Sequence, residues 1–179
     1  MGCFPMCMDL SGKVVLLVGN GKQIADKEKK LRPFGAELRR MDHLTAEDLT
    51  TEVAFVVVGD TELAEAERIS KLCNAQRIPV NVVDNSALCT FTFPAMIVKR
   101  DLTISVSTGG KVPGGAAFLS KRIDEQLPDR TEEIMDWLQE MRQKLYARYS
   151  REAARPLLSR MTKEAFTLGR PLTDTEAGI

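Results

Sequence analysis

The sequence predicts an α/β protein built on a parallel, doubly wound sheet. Three observations carry this. Two continuous apolar runs have strand length, VVLLV at Val14–Val18 and VAFVVV at Val53–Val58. A glycine turn, Gly19 and Gly21, directly follows the first run. Stretches of helical period alternate with the runs. A run that is apolar throughout suits a strand covered on both faces, which is what helices on both sides of a sheet provide.

After the glycine turn, residues 22–34 read as a helix with Ile24, Leu31 and Phe34 on its inner side, closed by Gly35. Residues 37–41 form a second strand. Arg39 and Arg40 interrupt its apolar character, which places it near a sheet edge. Val53–Val58 is the third strand. Leu63, Ala66, Ile69 and Cys73 then recur at helical spacing, with Thr61 placed to cap that helix. Residues 79–83 (PVNVV) are the fourth strand, giving the order β-α-β-β-α-β. The pattern then changes. Residues 95–98 and 102–107 flank Lys99, Arg100 and Asp101 as a hairpin, and a glycine-rich loop runs from Thr108 to Gly115. Ala116, Leu119, Ile123 and Leu127 mark an amphipathic helix ended by Pro128. Ile134, Leu138, Met141 and Leu145, with Trp137 beside them, mark another; Leu157, Leu158, Met161 and Ala165 mark a short last one. From Gly169 to Ile179 the chain reads as loosely ordered.

Composition narrows the function. Over 179 residues the formal net charge is zero, so no basic excess draws in nucleic acid. No apolar run approaches the roughly 20 residues needed to cross a membrane. The first residues lack a signal-peptide layout, and Met6 stands where a myristoylation motif after Met1-Gly2 has Ser or Thr. A cytoplasmic protein is expected. Cys3, Cys7, Cys73 and Cys89 suggest no disulfide framework. Cys3 and Cys7 lack the second pair that a closed zinc site needs, and His43 is the only histidine, so no resident metal is expected.

Gly19-Asn20-Gly21 follows a strand and opens a helix, the context in which G-x-G points to a dinucleotide. The first glycine makes the tight turn; the second lets backbone N–H groups approach a pyrophosphate at the positive helix end. Asp42, at the end of the second strand, is placed to reach ribose hydroxyls. This assigns Gly19, Asn20, Gly21, Lys22, Gln23, Ile24, Asp42 and His43 to a nucleotide cofactor. Ile24 stands where the fingerprint has a third small residue. A bare strand–turn–helix without ligand is the structural alternative.

Longer motifs make the reading specific. Phe4-Pro5 leads to Asp9-Leu10-Ser11-Gly12-Lys13; Val80-Asn81-Val82-Val83-Asp84 is followed by Leu88-Cys89-Thr90-Phe91-Thr92-Phe93-Pro94-Ala95; Ser107-Thr108-Gly109-Gly110-Lys111-Val112-Pro113 closes the series. With Val18-Gly19-Asn20-Gly21, these blocks resemble the precorrin-2 dehydrogenase family, which also supplies the N-terminal region of siroheme synthases. The resemblance runs from about Phe4 to about Arg148. It implies an NAD-binding Rossmann domain over 1–93, a dimerisation region over 94–128 and a C-terminal helical region over 129–179 in a homodimer. It implies NAD-dependent oxidation of precorrin-2, a tetrapyrrole, to sirohydrochlorin; some members also insert ferrous iron. The family aspartate proposed for both steps falls on Asp84. A carboxylate there suits proton removal during aromatisation and acceptance of pyrrole protons during metal insertion. The alternative is that Asp84, Asn85 and Ser86 simply form a turn.

Ser107, Thr108, Gly109, Gly110 and Lys111 offer hydroxyls, N–H groups and a positive charge to the carboxylates of such a substrate, with Arg100 and Lys121 as further charges; a plain glycine-rich connector is the alternative. Some family members carry a phosphorylated serine at the position of Thr108. Three departures stand out. The segment between Met41 and Val53 is short by about one helix and strand, the helix after Gly21 is charge-rich over 26–30 although Lys27 matches the family lysine, and Val112 replaces a serine. They leave open a tetrapyrrole- or nucleotide-binding paralogue without turnover, and a chelatase that needs Asp84 but neither Gly19 nor Gly21. Arg39 and Arg40, close to Asp42, leave NADP open beside NAD.

Overall fold

The computed structural model describes residues 4–178; Cys3, the Met1-Gly2 start and Ile179 lie outside the described residues. The chain divides into two compact units. One is the chain up to Phe93 with Gly109–Lys111, the other Pro94–Thr108 with the chain from Val112 onward.

The first unit holds a four-stranded sheet of β1 (Val14–Val18), β2 (Glu37–Met41), β3 (Val53–Val58) and β4 (Val80–Val82), in the order β2-β1-β3-β4. Every neighbouring pair is parallel. The apolar runs do what two-sided burial requires. Val14, Leu16 and Val18 of β1 pack into one core with Val56, Val58, Ile69 and Cys73, while Val15 and Leu17 pack into the opposite core with Ile24, Leu31 and Phe55. Helix α1 (Lys22–Leu31) and a 3₁₀ turn (Arg32–Phe34) ended by Gly35 at φ +72° belong to the second of these faces, and α2 (Leu63–Ala75) to the first. The edge position of β2 agrees with its two arginines. Thr61 does not cap α2: the N-cap is Glu62, and no side chain bonds there. Burial among the apolar side chains pushes the Cys73 thiol up to about 11.

The connection 42–52 carries the chain from β2 past β1 to β3 without a helix. Parallel crossovers usually contain one. Here Leu44 and Leu49 fill the core in its place. The strap is fastened to α2, with Arg68 donating to the Leu44 carbonyl at 2.7 Å and Gln76 to the Ala46 carbonyl at 3.2 Å. This is the shortened sheet expected from the sequence.

The second unit opens with an antiparallel hairpin, β5 (Ala95–Lys99) and β6 (Leu102–Val106), against which α3 (Pro113–Asp124) packs. The glycine-rich loop is shorter than expected because Pro113, Gly114 and Gly115 form the first turn of α3. The inner side of α3 is Ala116 and Ser120; Phe118, Leu119 and Ile123 are exposed. Helices α4 (Thr131–Arg148) and α5 (Arg151–Leu168) pack together through Ile134, Met141, Leu145, Ala154, Met161 and Ala165. α5 is therefore a long helix, with Pro156 inside it, rather than a short one.

The tail after Gly169 is also ordered, contrary to the sequence expectation. Leu172 and Ala177 are buried in the α4–α5 core, and α6 (Asp174–Ala177) carries a capping box between Thr173 and Glu176. Arg170 grips both Glu176 oxygens at 2.9 and 2.8 Å. The Arg170 guanidinium, with the N–H and hydroxyl of Thr173, holds the Glu176 carboxyl down at about 2. A carboxylate lowered in the folded state stabilises it above the unfolded value of about 4.3 and loses that contribution as pH falls toward 2. Hydrogen-exchange protection of Ala177 and Gly178 is thus expected to fall as pH drops through this window, and to stay flat there in Glu176→Gln.

Candidate functional site

The parallel ladder delivers three loops to one place. Gly19 N–H donates to the Met41 carbonyl at 3.0 Å, Gly59 N–H to Val18 at 3.1 Å and Val83 N–H to Val58 at 2.8 Å. Residues 19–21, 59–60 and 83–84 therefore lie side by side, one rung beyond the carboxyl ends of β1, β3 and β4. Between β1 and β3 the strand order reverses, and open α/β sheets bind ligands at that point.

Glycine is required at position 19 by packing alone. Its φ is +118°, and a Cβ there would stand 1.9 Å from the Gly59 carbonyl oxygen. Gly21 is different: a Cβ would meet only the Asp60 carboxyl group, at 2.2 Å from Cγ. Ile24, in the place of a small residue, is fully buried. It fits because the facing residue is Gly59, whose Cβ would lie 3.3 Å from Ile24 Cδ1. The bulk omitted from one strand end is supplied by the helix.

A polar network crosses the three loops. The Ile24 N–H, in the first turn of α1, donates to Asp60 Oδ2 at 3.2 Å. Asp60 N–H donates to Gln23 Oε1 at 3.1 Å, and Gln23 Nε2 donates to Asp84 Oδ2 at 2.7 Å. Both aspartates sit in left-handed backbone, φ +55° at Asp60 and +61° at Asp84, a conformation that Asp tolerates better than most residues. Asn20 donates its side-chain amide to Asp42 just past β2. Cys89 holds the Asp84 turn: its sulfur accepts the Val82 N–H at 3.1 Å, and its single S–H faces the carbonyls of Val82 and Asn85, each 3.2 Å away. Lys27 lies with its Nζ 4.3 Å from the Phe93 ring centroid. Burial holds its ammonium below the ordinary lysine range, helped by the like charge of Lys30 and opposed by the carboxylate of Asp84.

Of the residues singled out by sequence, Gly19, Asn20, Gly21, Lys22, Gln23, Ile24, Asp42 and Asp84 gather at this end of the sheet. His43 is exposed beside Asp42. Ser107 and Thr108 belong to the second unit, where Thr108 Oγ1 accepts the Val112 N–H at 3.2 Å; Gly109, Gly110 and Lys111 group with the first. Arg100 is engaged by Glu132 and Asp136, and Lys121 is exposed. Arg39 pairs with Glu37 and Arg40 with Glu28, each at 2.7 Å. Sequence reasoning missed Asp60, although it follows a buried strand as Gly19 and Asp84 do. Among the described residues no three His, Cys, Asp or Glu side chains gather into a metal-holding group.

A parallel sheet with a glycine turn opening a helix at its switch point defines a Rossmann-type protein of the nucleotide-binding class. A family described as putative NAD(P)-binding matches residues 38–95. The siroheme synthase of Pseudomonas aeruginosa (strain LESB58) is 31% identical over 149 residues, covering 72% of this chain and 32% of the relative. That of Methylobacillus flagellatus is 30% identical over 170 residues, covering 84% and 36%. The solved structure of SirC, precorrin-2 dehydrogenase, shares the fold with a TM-score of 0.72 at 20% identity, covering 93% of this chain and 92% of that one. The chain spans about a third of the length of the siroheme synthases it matches. Over the matched residues it is similar in sequence to the siroheme synthases, and it has the fold of SirC.

The two glycines are expected to behave differently. Gly19→Ala sets a Cβ against backbone at positive φ and should lower unfolding free energy by roughly 3 kcal/mol. Gly21→Ala displaces only a side chain and its single bond, about 1 kcal/mol. Urea denaturation of the two variants measures the contrast.

Proposed function

We propose that this chain oxidises precorrin-2 to sirohydrochlorin with NAD as the hydride acceptor. The observation that carries the reading is the link, through Gln23, between the glycine turn of α1 and Asp84 at the switch point. The residues fit the cofactor in most respects. The turn is free of side chains at Gly19 and Gly21, and Asn20 orients Asp42 at the end of β2, where a ribose is held in this class. The ion pairs of Arg39 and Arg40 favour NAD over NADP. Asp60 is the one charge set against it. Its carboxylate lies on the α1 N-terminus, where the pyrophosphate belongs, so it must turn aside from the Ile24 N–H on loading.

When bound, the nicotinamide supplies the hydride acceptor. Asp84 takes the proton that leaves the carbon skeleton and later releases it to water, so each turnover yields NADH and one proton. Lys27 balances the charge of Asp84 from its half-buried seat over Phe93. Ser107, Thr108, Gly109, Gly110 and Lys111 hold carboxylates of the substrate. The Asp60 carboxylate favours, as second reading, iron insertion at Asp84 with ferrous iron as substrate, or tetrapyrrole binding without turnover, since neither needs the dinucleotide.

Purified protein with precorrin-2 and NAD should form NADH, followed by its absorbance. Asp84→Ala should lose about 10²–10⁴-fold of that turnover while keeping its affinity for NAD. Calorimetry that detects no binding at millimolar NAD rejects the dehydrogenase in favour of the second reading.

A cytoplasmic homodimer belongs to the same proposal. Phe118 and Leu119 on α3 are 64% and 50% exposed, and large apolar side chains grouped on one helix suit a partner surface. The stripe of α4, by contrast, is covered by α5. Light scattering at micromolar concentration should give twice the chain mass, and Leu119→Asp should give one chain mass with loss of activity.

A further inference from the structure

We propose that Gln23 is a positioning residue for Asp84, a role that rests on Asp84 being the proton acceptor. Its amide bridges two loops from the first turn of α1: Oε1 accepts the Asp60 N–H at 3.1 Å, and Nε2 donates to Asp84 Oδ2 at 2.7 Å. The orientation of the amide follows from chemistry. A backbone N–H only donates and a carboxylate only accepts, so a flipped amide would face N–H with N–H and oxygen with oxygen. The Asp60 N–H therefore dictates that the amide nitrogen faces Asp84.

Asp84 needs such a tether. Its side chain is exposed at a turn in left-handed backbone, and two torsions are free to rotate. A charge-assisted bond to one oxygen restricts both torsions. It leaves Oδ1, which has no hydrogen-bond partner among the described residues, to receive the proton. The Cys89 sulfur holds the backbone of this turn and Gln23 holds its side chain. Because Gln23 stands beside the glycine turn, one residue sets the distance between the nucleotide end of α1 and the acid–base group. An apolar side chain of the same length would fill the space but release the carboxylate.

Two variants and one spectroscopic readout test this. Gln23→Met should lower kcat roughly tenfold, as expected when a reacting group loses its orientation, with KM for precorrin-2 within about twofold. Gln23→Glu still accepts the Asp60 N–H but opposes Asp84 with a second carboxylate, and should lose at least as much; a purely structural glutamine would make Glu the better substitute. Independently of activity, three-bond couplings should show one χ1 rotamer for Asp84 in the unmodified protein and an average in Gln23→Met. The Gln23 side-chain amide resonance should move toward its free position in Asp84→Ala. An averaged Asp84 in the unmodified protein, a single rotamer in Gln23→Met, or an unchanged kcat in Gln23→Met overturns the proposal. If the unmodified protein forms no NADH while the Asp84 rotamer still depends on Gln23, the dehydrogenase reading fails and the positioning stands.

Discussion

The contact of Gly19 with the carbonyl of Gly59 is the constraint on which the site depends. It closes the β1–β3 ladder at its carboxyl end, where the Gly59 N–H reaches back to Val18. With no side chain at either position, the two loops meet backbone to backbone, and α1 leaves β1 at a fixed angle. That departure buries Ile24 in the space Gly59 leaves empty, at about 1.5–3 kcal/mol for a side chain of this size. It also aims the Ile24 N–H at Asp60 and carries Gln23 to Asp84. Packing on the apolar side of the turn and polar geometry on the other are two results of one backbone contact.

The electrostatics of α1 follow from the same arrangement. Its first turn contains no acidic residue, although the N-terminal end of a helix favours negative charge. Asp60 supplies that charge from a different strand. Asp84 adds a second carboxylate one loop further, and Lys27 the opposing cation, half-buried on the inner face of the same helix. Gln23, neutral and able to donate and accept at once, is the residue type that can join an N–H to a carboxylate without adding charge.

The sheet was legible because burial on both faces leaves an unbroken apolar run, and the edge strand because its run is broken by Arg39 and Arg40. The strap 42–52 has no period to read; Leu44 and Leu49 act through contacts with strands and helix distant in sequence. The length of α5 was not legible because residues 151–156 carry no large apolar side chain to mark a helical period, and that end is held by the packing of Ala154 against α4. The tail carried a local signal that went unused, a threonine followed three residues later by a glutamate, Thr173 and Glu176, the pattern of a capping box. In the site, Gly19, Asp42 and Asp84 were legible as motif members. The role of Gln23 was not, because its partners stand 37 and 61 positions away and only the fold brings them together.

Because the strap 42–52 adds no strand, the sheet stops at β2, and a parallel edge is left unpaired. Such an edge is a template on which another chain can lay a strand, the route to aggregation. Glu37, Arg39 and Arg40 stand along it, exposed, and the Arg40 pair with Glu28 ties the edge to α1. An incoming apolar strand would have to strip water from these charges. The residues that make β2 a poor strand thus also guard its open edge against pairing with another chain.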